Sequence, residues 1–382
     1  MYTTVITNCR LLSPGKDIAH GSLLIEDGFI KEVAEGNVPV PAGAKIIDGE
    51  GLTAMPGFID LHCHGRNGFD FCDGFSGNVQ AIGEGKLAEG VTTLLPATLT
   101  LSEDVLKDSL SAIAACDQKS TCRIPGVHLE GPFINPECAG AQNTAFVRCP
   151  DVAEVARLNK VFPINKISFA IESAGGVQFV SDMLQCGIVP SSTHSSAGYD
   201  VFLKAYAAGL RNLSHFCNQM SPLHHRDIGL VGAGLLYKDV FVELICDKLH
   251  ISPPMIQLVF NTKGADNIML ITDAMRASGM PDGEYSLGGL PVTVADGAAR
   301  LKDSGALAGS TLQMAEAFKN ICEVTGLPQS ELIKSTAASA AGAMNWHDRG
   351  FLMPGFLADI VLLDKNFKVR KTLVGGEIRF EN

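Results

Sequence analysis

Phe58-Ile59-Asp60-Leu61-His62-Cys63-His64 is the stretch on which the reading of this chain turns. An apolar run ends in two histidines separated by one residue. In an extended strand alternate side chains share a face, so His62 and His64 point the same way and Cys63 points the other. Two imidazoles at the mouth of a buried strand are half of a metal site, and imidazole suits zinc, iron or nickel. Cys63 reads as a small core residue. Whether the pair is more than two surface histidines depends on what later strands bring to the same place.

Outward from this stretch the chain keeps a rhythm. Short apolar runs recur at 58–61, 92–96, 126–129, 166–170, 189–193, 212–215, 241–246 and 268–272. Amphipathic, helix-like stretches such as 79–90, 151–161, 176–186 and 199–209 lie between them. Alternating strands and helices imply a parallel sheet. Eight such units over roughly 290 residues suit an α/β fold of the (β/α)8, or TIM-barrel, type. A doubly wound sheet is the alternative, but no GxGxxG turn follows the first run.

The two ends read differently. Residues 5–8, 22–25, 30–33 and 45–48 are short strand candidates, and Glu26-Asp27-Gly28 is a hairpin signal. Residues 358–364, 369–374 and 375–378 look similar. Neither end can bury much surface alone, so both are expected to pair into one small β-sandwich domain. The expected division is 1–54 for its N-terminal part, 55–353 for the barrel and 354–382 for its C-terminal part.

The 382 residues are 46% hydrophobic and 19% charged, enough for a large core. A net charge of −11 argues against a nucleic-acid surface. It leaves room for an anionic small substrate, which needs only local positive charge. The 11 cysteines include no CxxC pair. No basic-then-apolar leader is visible, and no run approaches the ~20 apolar residues of a membrane span. The expectation is a soluble cytoplasmic protein with reduced thiols.

In a barrel of this type chemistry collects where the strands end. The first run ends in His62 and His64, the third in Glu130, the fifth in His194, the sixth in His215 and the eighth in Asp273; Asp247 and His250 follow the seventh. A histidine or aspartate at one strand end is often only a cap. Imidazole and carboxylate groups at most of the expected positions form a constellation. Three His/Glu groups with an open position make a catalytic site rather than a closed structural one. Glu130, His194 and His215 would hold one divalent ion. His62 and His64, with Glu130 as a bridge, would hold a second. Asp273 would take a proton from water and return it to a departing amine, which is amide hydrolysis. Zinc is the first expectation for the metal, with iron and others accepting the same set. His128 shares a face with Glu130 but lies one step deeper, and reads as a packing or supporting group. His20 and His347 fall outside the strand ends.

These motifs resemble the amidohydrolase superfamily, and within it the N-acetylglucosamine-6-phosphate deacetylase family. The resemblance runs through Pro56-Gly57-Phe58-Ile59-Asp60, His128-Leu129-Glu130-Gly131-Pro132-Phe133, Gly140-Ala141-Gln142-Asn143, Ser221-Pro222-Leu223-His224-His225-Arg226, Gly229-Leu230-Val231-Gly232-Ala233, Leu270-Ile271-Thr272-Asp273-Ala274, Leu307-Ala308-Gly309-Ser310 and Pro354-Gly355-Phe356-Leu357-Ala358-Asp359. Many other amidohydrolases bridge their metals with a carbamylated lysine at the end of strand four. Here Lys166 sits at the start of that strand and none follows at its end. The resemblance implies Glu130, His194 and His215 as principal ligands and Asp273 as acid/base. It implies substrate contacts at Ala141, Gln142 and His250, phosphate contacts at Asn218 and Gln219, and a substrate-lining turn at Leu307, Ala308 and Gly309. Arg226 matches a phosphate-binding arginine that in the family can reach across a homodimer, and a guanidinium can grip phosphate with paired hydrogen bonds. Gln219 stands where a small residue is more usual, Asp227-Ile228 where Glu-Pro is common, and Lys248 where glycine is common. The implied reaction is deacetylation of N-acetylglucosamine 6-phosphate. The alternatives are the galactosamine epimer, an amidohydrolase acting on an N-acyl amino acid or cyclic amide, and a non-catalytic sugar-phosphate sensor. A sensor has no need of Asp273 as a base.

Overall fold

The computed structural model describes residues 3–382. The apolar runs form eight strands: β1 Phe58–Cys63, β2 Val91–Pro96, β3 Val127–Glu130, β4 Ile164–Phe169, β5 Val189–Ser192, β6 Asn212–Leu213, β7 Phe241–Ile245 and β8 Ile268–Ile271. β1 pairs in parallel with β2, and β3 to β8 form one parallel sheet in chain order. Single parallel bridges join Ala97, just past β2, to His128 in β3, and Cys63 in β1 to Ala274, just past β8. The result is a curled parallel sheet whose two pieces are linked at both seams.

Helices Ser76–Leu87, Glu103–Ala114, Val152–Asn159, Gly176–Gln185, Tyr199–Ala207, Gly229–Leu236, Pro253–Lys263 and Met314–Thr325 cover it. Every residue of β1, β2, β3 and β8 is buried. Covering both faces of a parallel sheet removes the in–out alternation, which is why these strands read as continuous apolar runs. Side-chain caps set some helix starts: Ser102 accepts from the amide of Val105, and Asp151 from that of Ala153.

Strands from both chain ends lie in one sheet of eight. Its order is Glu377–Glu381, Val369–Val374, Ile360–Leu363, Thr53–Pro56, Thr3–Ser13, Lys16–Glu26 and Phe29–Glu35, with Lys45–Asp48 paired off this path to Thr3–Ser13. Thr53–Pro56 is the joint, bonded to the first strand on one edge and to Ile360–Leu363 on the other. It runs almost directly into β1.

One element lies outside the sequence reading. After β8, Gly283–Leu287, Leu290–Ala295 and Ala298–Leu301 form a three-stranded antiparallel sheet. Its turns carry Gly288 and Gly289 at φ 57° and 81°, then Asp296 and Gly297 at φ 50° and 73°. Gly-Gly and Asp-Gly are the pairs that two-residue hairpins with positive φ require. The signal was in the sequence, eclipsed there by the search for a parallel repeat.

Phe169, at the end of β4, is fully buried and meets Phe179 edge-on with ring centroids 4.9 Å apart. Phe169→Ala should destabilise the fold by about 3–5 kcal/mol, measured by chemical denaturation. A loss below about 1 kcal/mol would mean the cavity collapses freely, unlike a close-packed core.

Candidate active site

The chain departs from strand geometry where the chemistry begins. His194, His215 and Asp273 have φ of 44°, 29° and 48°, a region that side chains other than glycine rarely adopt. Backbone bonds hold these turns: the amide of Asp273 donates to the carbonyl of His62 at 2.8 Å, and that of Phe216 to Glu243 at 2.7 Å. The turns swing the three side chains over the C-terminal rim, where they meet residues from β1 and β3.

Glu130 is the meeting point. Its Oε1 lies 3.2 Å from His62 Nε2, 3.2 Å from His215 Nε2 and 3.6 Å from His194 Nε2. Its Oε2 lies 3.3 Å from His64 Nε2 and accepts a 2.6 Å hydrogen bond from Gln142. Asp273 Oδ1 is 3.2 Å from His64 Nε2 and 3.7 Å from His62 Nε2. Two triads have mutually close donor atoms, His62–His64–Asp273 and Glu130–His194–His215, within 4.8 Å in each case.

The far nitrogen of each ring is engaged. Nδ1 of His64, His194 and His215 meets the carbonyl of Ala97 at 3.2 Å, Cys138 at 2.7 Å and Asn218 at 3.2 Å respectively. A carbonyl only accepts, so these contacts place a proton on Nδ1 and turn the Nε2 lone pair toward the cluster, where that of His215 also accepts from the Thr193 hydroxyl at 2.7 Å. His62 Nδ1 instead faces the Glu243 carboxylate at 3.2 Å, and its Nε2 is a buried nitrogen with no hydrogen-bond partner. These donors suit a divalent metal ion.

Beneath this layer lies a second, in which sequence reasoning read His128 as a supporting group and missed Glu243. Glu243 is fully buried in β7, ion-paired to Lys166 of β4, and accepts from the amide of His215 at 3.3 Å. Its sequence signal is a lone acid inside an apolar run, Phe241-Val242-Glu243-Leu244-Ile245. His128 sits here too, its ring edge-on to His62 at 4.4 Å and its Nε2 bonded to Ser168. Lys166 and His128 therefore lie under the constellation, outside both triads.

The electrostatics follow from the contacts. Burial works against charge on His62 and His64, but the Glu130 and Asp273 carboxylates outweigh it. They lift His62 to about 9 and His64 well above the ordinary imidazole range. Burial also works against charge on the two acids, and the imidazoles overcome it, drawing Glu130 well below the usual carboxylate range and Asp273 to about 2. His128, desolvated beside Lys166, falls well below the usual range and stays neutral. Positive charge is thus drawn to the space between the carboxylates, whether a proton or a metal ion carries it.

The rim opens into a cavity of about 370 Å³ lined by His64, Glu130, His194, His215 and Asp273. Ala141, Gln142, Asn218, Gln219, His250, Leu307 and Gly309 also reach its wall. His62 lies deeper, fully buried. His250 Nδ1 is held by Asp247 at 2.6 Å. The side chain of Ala308 is fully buried in one cluster with Leu99, Met275, Leu287 and Val292 and is not on the cavity wall. Arg226 is exposed, bonded through Nη1 to His225 at 2.7 Å, and is not on the wall of its own chain's cavity. Arg300 and Ala306, unmarked in the sequence, are on it.

A curled parallel sheet with a buried His/carboxylate cluster at its C-terminal rim defines a protein with residue groups that could hold a divalent metal. No protein-family model matches the chain. It is 34% identical over 381 residues to N-acetylglucosamine-6-phosphate deacetylase from Lysinibacillus sphaericus, covering 99% of this chain and 98% of the relative. It is 33% identical over 381 residues to N-acetylgalactosamine-6-phosphate deacetylase from Escherichia coli O157:H7, covering 98% and 99%. A mutant N-acetyl-D-glucosamine-6-phosphate deacetylase from Mycobacterium smegmatis, solved in complex with N-acetyl-D-glucosamine-6-phosphate, superposes with a TM-score of 0.92 at 28% identity, covering 99% of this chain and 100% of that one. The chain belongs to the N-acetylglucosamine-6-phosphate deacetylase family.

Since His62 and His64 hold protons in the cation-free site, a metal ion must displace them. Affinity for a divalent ion at His62 and His64 should climb with pH through the neutral range, where both imidazoles still hold their protons. Calorimetric titration in two buffers of different ionisation enthalpy reads both the affinity and the protons released. An affinity flat across the neutral range would contradict the charge distribution described.

Proposed function

We propose that the chain is a metal-dependent hydrolase that removes the acetyl group of N-acetyl-D-glucosamine 6-phosphate, giving D-glucosamine 6-phosphate and acetate in amino-sugar catabolism. The observation that carries this is Glu130 set among four imidazoles beside Asp273, at the floor of a cavity. Full-length similarity to deacetylases of this substrate supports it.

In this reading Glu130, His194 and His215 hold the principal ion, and His62 and His64 govern whether a second joins it. When bound, the ion supplies a Lewis acid for the amide carbonyl and for a water molecule. Zinc is the metal proposed. Asp273 is ionised at neutral pH and takes the water proton, then returns it to the amine nitrogen as the C–N bond breaks. Gln142, bonded to Glu130 and to the amide of Thr100, keeps the carboxylate oriented. His250, positioned by Asp247, faces the substrate, as do Ala141, Leu307 and Gly309. Asn218 and Gln219 sit where the phosphate would lie, and Arg226 would complete that site across a homodimer. The curled sheet is read as a closed (β/α)8 barrel over residues 55–353, with 1–54 and 354–382 as the flanking β domain, in a cytoplasmic protein.

The similarity to an N-acetylgalactosamine-6-phosphate deacetylase supports the epimer as a second reading. The two sugars differ at one hydroxyl, and Gln219 adds an amide at the cavity wall. Acetate release should be measured on metal-loaded protein with N-acetylglucosamine and N-acetylgalactosamine, each with and without the 6-phosphate. Turnover of the glucosamine phosphate above the rest is expected, and no turnover of either phosphate would sink the proposal.

Asp273→Asn should lower kcat by about 10²–10⁴-fold, the usual contribution of a general acid/base, while the metal content stays the same. A near-normal rate would mean another group moves the proton.

A further inference from the structure

Ten of the twelve arginines of this chain are paired with a carboxylate within 4.0 Å. The two that are not, among the described residues, are Arg226 and Arg300. Arg226 is off its own chain's cavity wall, whereas Arg300 is on it. No lysine and no other arginine line that cavity among the described residues. The remaining charge there is the Glu130 and Asp273 carboxylates and the imidazoles around them.

Arg300 is also held in place. It lies in the last strand of the hairpin sheet, bridged antiparallel to Leu307, and Ala308 donates to the carbonyl of Ala299 at 3.0 Å. One guanidinium nitrogen, Nη1, donates to Gly305 O at 2.9 Å. That leaves donors of a planar fork free at an exposed position on the wall of the cavity. A carboxylate nearby would have neutralised it. The hairpin sheet packs its apolar residues Leu287, Val292, Val294, Ala299 and Leu301 inward, so the strand that carries Arg300 has a core of its own.

We propose that Arg300 is a same-chain anion-binding residue, gripping the phosphate of the substrate from the cavity wall that Asn218 and Gln219 also line. This rests on the phosphorylated-sugar reading and goes beyond it: the hairpin sheet becomes the part of the chain that selects phosphorylated over neutral N-acetyl sugars. A dianion entering a protein of net charge −11 gains most from a cation fixed inside the site.

The test uses full-length, metal-loaded protein with Arg300→Gln and Arg300→Lys. Acetate release from N-acetylglucosamine 6-phosphate and from N-acetylglucosamine gives KM and kcat, and ³¹P line broadening reports binding of inorganic phosphate without turnover. In Arg300→Gln the KM for the phosphorylated sugar should rise roughly tenfold to a hundredfold, the worth of a hydrogen-bonded charge pair. The kcat should change little, the unphosphorylated sugar should be unaffected, and phosphate binding should weaken in parallel. Arg300→Lys should recover part of the loss. An unchanged KM for the phosphorylated sugar, or equal losses on both sugars, overturns the proposal. If wild-type protein turns over no phosphorylated sugar, the substrate reading fails instead. Arg300 is then judged by phosphate binding alone, and equal binding by wild type and Arg300→Gln overturns it.

Discussion

A carboxylate with almost no access to water, that of Glu130, is the constraint on which the rest of the structure depends. Removing an ionised acid from water costs several kcal/mol unless partners replace the lost hydration. Here the partners are four imidazoles and the amide of Gln142. No single segment could bring these together. His62 comes from β1 and His64 from just past it, Glu130 from β3, His194 and His215 from the turns after β5 and β6. A parallel sheet curled so that neighbouring strands converge at one rim supplies that convergence. The buried Lys166–Glu243 pair carries the same logic a layer deeper, fixing His62 from below.

The active-site turns are where the backbone departs from relaxed conformations. His194, His215 and Asp273 all take positive φ. Such positions persist only when surrounding bonds over-determine them, and here they are bonded to the adjacent strands. Strain, burial of charge and an orphaned His62 nitrogen coincide at one place. A protein that were only stable would have no reason to gather them. The two residue groups that could hold a divalent ion lie at that place.

The apolar runs and their spacing announced the parallel strands, because strands covered on both faces need no polar alternation. The ligand candidates were legible because charged and imidazole groups at the ends of apolar runs have few structural reasons to be there. Glu243 escaped because the reading looked at strand ends, and this acid lies within its strand. The hairpin sheet lies outside the strand–helix repeat, and Gly288-Gly289 and Asp296-Gly297 are its local turn signals. The motif marks Leu307, Ala308 and Gly309 alike, and only the structure shows that the side chain of Ala308 packs in the hairpin core. Arg226 stood out through its resemblance to a family motif, whereas Arg300 had no motif to mark it.

The sequence by itself determined the repeat of strand and helix, the residue types of the constellation and the family to which the chain belongs. These are local or pattern properties, each read from short motifs and their spacing along the chain. Only the tertiary structure decided which nitrogen of each histidine faces Glu130, because that depends on carbonyls contributed by other segments. It also decided which of the two unpaired arginines borders its own chain's cavity. Charge pairing is a property of distance in space, and for Arg300 the absence of a partner becomes visible only once every carboxylate has a position.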